Sequence, residues 1–189
     1  MDKVDRNLGN IKQDSRIVSV LDFTERKNKR IVNFGTIILT IIILMVFTFL
    51  LEGKGLSIYW LLLTLISLVL LTPVHELCHW FFQWIVSRKK PRLGWASSFP
   101  YSALAEGTST TRDQGIICAL APLVILTTIL ILISTAFTGL PRFLILASAA
   151  IEVASCFGDM YLIGWFLKHR RHLRWSTIDL ANVLYEETD

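Results

Sequence analysis

The chain has 189 residues, carries a formal net charge of +4, and is 53% hydrophobic, with a mean hydropathy of +0.53. That length suits one domain, but the composition is too apolar for a water-soluble globule. The basic residues flank apolar runs instead of forming one patch, which excludes a nucleic-acid surface.

The polar arm 1–30 carries the small apolar set Ile17, Val18, Val20, Leu21 and Phe23, suited to a short interfacial helix or to a solvated arm. Four apolar runs follow, over about 31–51, 56–87, 115–137 and 143–167. A spanning helix needs about 20 such residues, so the expected fold is all-α and integral to the membrane. Residues 31–167 then form one domain of four transmembrane helices, with a tail over 168–189. The first run exceeds the roughly 7–15 residues of a leader's apolar region, so it is read as a span.

Charge sets the expected orientation. Arg26, Lys27, Lys29 and Arg30 precede the first run, Arg88, Lys89, Lys90 and Arg92 follow the second, and Lys168, Arg170, Arg171 and Arg174 follow the fourth. The remaining connections hold only Lys54 and Arg142. By the positive-inside rule both termini and the loop 88–114 are cytoplasmic.

The second run would measure roughly 50 Å as one helix, against about 30 Å of hydrocarbon. It is expected to tilt and protrude, or to break at Pro73, since proline removes a helical hydrogen bond. The residues His75, Glu76, Leu77, Cys78 and His79 follow. Histidines four apart lie one turn above each other on one helix face, and two imidazoles so placed can share a zinc ion. Glu76, about 100° round the helix, can reach a metal-activated water without being a ligand. Ionisable groups inside a bilayer are costly and usually functional.

The loop 88–114 places Trp95, Phe99 and Tyr101 beside its basic cluster. It is either a surface connection or a membrane-associated segment whose extended part could pair with a peptide strand. In the third run Pro122 frees a backbone carbonyl, where irregular backbone is tolerated if it lines a cavity; an ordinary proline kink is the other reading. The fourth run holds the acids Glu152 and Asp159. Counted from the cytoplasmic ends, Asp159 and His79 both lie about 13 Å deep and Glu152 about 24 Å. Depth therefore favours Asp159 as third ligand, with Glu152 as an alternative ligand, a supporting group or part of a water path. Cys78, Cys118 and Cys156 lie in apolar runs and offer no disulfide framework; they are read as small apolar fillers. In the tail, Ile178, Leu180, Val183 and Leu184 are spaced as in a short helix.

With the His-Glu motif, the sequence 119–123 (ALAPL) and the sequence 158–165 (GDMYLIGW), the chain resembles a small bacterial membrane family, the putative zincin peptidases. It is also similar to the site-2 protease class of intramembrane zinc proteases. It departs from that class in that Asp159 follows a glycine and no Asn-Pro pair lies upstream in the same run. The resemblance implies His75, His79 and Asp159 as Zn2+ ligands and Glu76 as catalytic base, in a multi-pass protein of the cytoplasmic membrane. The expected activity is hydrolysis of a peptide bond in a transmembrane or membrane-proximal segment near the cytoplasmic leaflet. The expected partners are a membrane protein or peptide substrate and the lipid bilayer. The alternative is a non-catalytic metal-binding membrane protein, acting as a regulator or partner scaffold through the same residues.

Overall fold

A computed structural model describes residues 15–50, 58–96, 99–178 and 181–187. In chain order these form β1 (Ser15–Asp22), α1 (Arg26–Leu50), α2 (Ile58–Ser87), β2 (Arg92–Ala96), β3 (Phe99–Ala103) and β4 (Thr110–Thr111). Then come α3 (Arg112–Ala121), a π-helical turn over Pro122–Leu126, α4 (Thr127–Ser134), α5 (Gly139–Ser155), α6 (Phe157–Leu167), β5 (Arg174–Ile178) and β6 (Ala181–Glu187).

The chain is mostly helical, and among the described residues three helical stretches are long and apolar enough to cross a membrane: Arg26–Val46, Arg112–Ser134 and Pro141–Leu167. The outward face of α1 shows Phe34, Ile38, Ile41 and Met45, each more than half exposed. Such a band is an apolar patch of the kind that marks an interaction or membrane surface. Helix α2 is continuous through Pro73, so of the two alternatives, an unbroken helix or a break at the proline, the structure has the first.

The all-α expectation is corrected by two sheets. Strands β1, β6, β5 and β4, in that order, form a four-stranded sheet, and β2 and β3 form a hairpin. The arm residues read as a helix or a solvated segment are β1, paired antiparallel with β6 from Ser15–Glu187 to Asp22–Ala181. The tail residues read as a helix are β5 and β6, also antiparallel. The physical reason is long-range pairing: β1 alternates an exposed row of Arg16, Val18 and Val20 with inward residues, the period of a half-buried strand. Residues 1–14 of the arm lie outside the described part.

The sheet is seated on the helices by an apolar core of Leu104, Cys118, Phe166, Leu173, Trp175 and Leu184. Gly115 permits this approach, because a Cβ there would press into the rings of Phe166 and Trp175. Helix α3 starts with a capping box, in which the Thr111 hydroxyl accepts from the Gln114 amide and the Gln114 side-chain oxygen accepts from the Thr111 N–H, satisfying two otherwise unpaired donors. The buried Arg112 guanidinium donates to the His169 carbonyl at 2.6 Å, tying this start to the turn before β5. On the opposite side Tyr161 donates to Asn28 and Trp165 to Ser19, each at 3.1 Å. These bonds fix the β1–α1 corner against α6.

The fourth run forms one stretch long enough to span, with a local irregularity inside it. Helices α5 and α6 meet at Cys156, whose backbone (φ −70°, ψ 3°) leaves helical geometry. That one-residue break lies between Glu152 and Asp159 and sets how each meets α2.

Candidate metal centre

On α2, His75 and His79 are one turn apart, both buried at 8% exposure, with their rings edge to face at 4.7 Å. Their Nε2 atoms are 3.1 Å apart. Asp159, in the first turn of α6, lies across both: Oδ1 is 3.1 Å from His79 Nε2 and Oδ2 is 3.2 Å from His75 Nε2. The residue selected by depth thus sits against both histidines.

The opposite edges of the two imidazoles are held by acceptors. His75 Nδ1 donates to Glu152 Oε1 at 2.7 Å. His79 Nδ1 donates to the carbonyl oxygen of Cys118 at 2.9 Å. That carbonyl belongs to the residue four before Pro122, which has no N–H to donate; the proline therefore leaves free the group that orients His79. With both Nδ1 atoms as donors, the neutral imidazoles present lone pairs at Nε2. They face the two carboxylate oxygens of Asp159, of which Oδ2 has no hydrogen-bond partner among the described residues.

In the neutral tautomers with Nδ1 as donor, acceptor atoms converge here, and a cation at their centre would satisfy them. Tetrahedral zinc with bonds of about 2.0–2.1 Å holds its ligand atoms about 3.3 Å apart, close to the 3.1–3.2 Å observed. A nitrogen–nitrogen–carboxylate set suits zinc, and the carboxylate and carbonyl behind the histidines are the supports such ligands use. The donor set fits the ion.

Glu76 offers a carboxylate oxygen in a group with His75 and His79 whose atoms all lie within 4.8 Å of one another. Its Oε2 accepts from the Ser102 backbone N–H of β3 at 2.9 Å. Glu76, His79 and Asp159 open onto a cavity of about 750 Å³ that is also lined by Pro100–Ala103, Gln83, Lys29, Thr177 and Asn182. The cavity runs from the motif to the sheet.

Glu152 is 1% exposed, and its carboxylate also accepts from Ser155 Oγ at 3.3 Å. Cys156 forms a second group with His75 and Asp159 within 4.8 Å. Its sulfur, however, lies by Nδ1 of His75 (4.0 Å) and Oε1 of Glu152 (3.7 Å), away from the edge that Asp159 faces. It is thus packed into the polar support of the site, unlike the apolar filler expected. The sequence reading missed Ser102, Cys156 and Gln83; of these only Gln83 left a trace, as a polar residue one further turn along the histidine face.

A family model described as "Putative zincin peptidase" matches residues 68–173, more than half of the chain, and the chain belongs to that family. No curated protein and no solved structure matches it.

Proposed function

With that membership as the premise, we propose that the chain is an integral membrane zinc metalloendopeptidase. It hydrolyses a peptide bond in a transmembrane or membrane-proximal segment near the cytoplasmic leaflet. The observation that carries the reading is the meeting of the His75 and His79 Nε2 atoms with both Asp159 carboxylate oxygens, the Glu76 carboxylate beside them on an open cavity.

His75, His79 and Asp159 hold the metal, and Glu152 and the Cys118 carbonyl keep the two rings in register. Zinc bound there supplies a Lewis acid that acidifies water and polarises a carbonyl. Glu76 takes the proton of the attacking water and returns it to the departing amine nitrogen, the two transfers of a general acid–base. The substrate lies extended along β3. Residues Pro100–Ala103 of β3 line the cavity, and the Ser102 N–H points to Glu76 there. Edge pairing presents the substrate's carbonyls in regular order and holds it unwound.

The membrane placement uses four spans, with α2 as the one that carries the motif. Both termini and the 88–114 loop are cytoplasmic. Its support is the sheet, which joins residues 15–22, 110–111 and 174–187 and so requires those segments to share one side of any bilayer the helices cross. The exposed apolar face of α1 supports the same placement.

The test is cleavage of fluorescein-labelled casein by the detergent-purified full chain, with zinc content measured alongside. Glu76→Gln should keep its zinc and lose roughly 10²–10⁴-fold in rate. Zinc-loaded Glu76→Gln that cleaves at the wild-type rate would remove Glu76 from the chemistry.

A further inference from the structure

The face of α2 that carries His75 and His79 continues one turn to Gln83, also seven residues after Glu76. Gln83 is 5% exposed. Its amide nitrogen makes a long bond, 3.4 Å, to the Ser102 hydroxyl, while its buried Oε1 has no partner among the described residues. The side chain lines the same cavity as Glu76, His79 and Ser102. A buried carbonyl left without a donor destabilises the protein that contains it, and an apolar residue of equal size would fill this place without that cost. Its location beside an open strand edge supplies the reason: the missing donor arrives with the ligand.

We infer that Gln83 is a substrate-binding residue, whose Oε1 accepts a backbone N–H of the extended peptide in the cavity. The inference rests on the peptidase reading and deepens it. The rise from the histidine pair to Gln83 is about 6–12 Å along α2, two to four residues of extended chain at about 3.3 Å each. The N–H that Gln83 takes is therefore two to four residues from the scissile bond. The site then discriminates against substrates with proline at that position, because proline has no N–H to offer.

The probe is a set of decapeptides selected from a randomised library on the detergent-solubilised full chain carrying Glu76→Gln. Each is measured against that protein and against the same protein carrying Gln83→Met, which keeps the volume and removes the acceptor. Binding should weaken about tenfold, equivalent to about 1.4 kcal/mol, with zinc content unchanged and melting temperature equal or higher. Single N-methylation along a peptide should reveal one position whose penalty disappears in the Gln83→Met protein. Equal affinity of both proteins for every peptide would overturn the role of Gln83 and leave the peptidase reading standing. A lower melting temperature with every N-methyl penalty intact would likewise reduce Gln83 to a packing residue. A selection that returns no peptide would defeat the peptide-binding cavity, and this inference with it.

Discussion

Replacing Glu152 is expected to weaken zinc binding in proportion to what each replacement leaves for His75. The wild-type carboxylate accepts from Nδ1 at 2.7 Å in a site that is 1% exposed, and a hydrogen bond to a charged group contributes about 1.5–3 kcal/mol. Glu152→Ala loses that bond and leaves the N–H buried without an acceptor. At about 1.4 kcal/mol per factor of ten, zinc affinity should fall about 10- to 150-fold, which agrees with the roughly 10- to 100-fold seen when such supports are removed. Glu152→Gln keeps an oxygen in place and loses only the charge, about 1 kcal/mol and therefore about fivefold. The assay is competition against a chromophoric chelator in detergent, with circular dichroism to verify that each variant stays helical. Affinity within twofold of wild type in folded Glu152→Ala would refute the support role. Complete loss of zinc there, with zinc kept in Asp159→Ala, would make Glu152 the ligand.

Pro122→Ala restores an N–H that competes for the Cys118 carbonyl, so zinc affinity should drop about two- to tenfold, the worth of one neutral hydrogen bond. The same variant should melt higher, since a helix interior prefers alanine to proline; a lower melting point with unchanged zinc affinity would contradict this. A Cβ at Gly35 would overlap the Phe157 ring, two residues before Asp159, so Gly35→Val should cost about 1–3 kcal/mol of stability through overpacking. Thermal melts should show partial recovery in Gly35→Val with Phe157→Ala, and absence of recovery would place the strain elsewhere.

The grouping of His75, His79 and Asp159 was legible on the expectation that the apolar runs cross one bilayer, which reduces three dimensions to one. His75, Glu76 and His79 are neighbours in sequence, and helices crossing the same slab share a depth coordinate, so Asp159 could be matched to His79 by counting. Pro122 was legible for a related reason: a proline in a helix always frees a carbonyl, and only its recipient, His79, had to be learned from the fold. Glu152 is the instructive case. Its greater depth argued against ligation, yet it touches His75, one turn deeper than His79, on the Nδ1 edge, as a supporting group would.

The sheet was not legible. Strand β1 pairs with β6 across nearly the whole chain, and no local pattern encodes a partner so distant. The spacing of Ile178, Val183 and Leu184 imitates a helix, because β6 is buried on both faces and so carries apolar residues at consecutive positions instead of alternate ones. The Ser102 contact to Glu76 likewise joins residues far apart in sequence. Tertiary pairing decided these.

The most direct measurement is zinc stoichiometry in the purified full chain and in His75→Ala, His79→Ala, Asp159→Ala, Glu76→Gln and Cys156→Ser. The account predicts one zinc per chain in wild type, Glu76→Gln and Cys156→Ser, and loss in the other three. A folded wild-type chain that takes up no zinc when zinc is supplied would contradict it. So would zinc kept in Asp159→Ala and lost in Cys156→Ser.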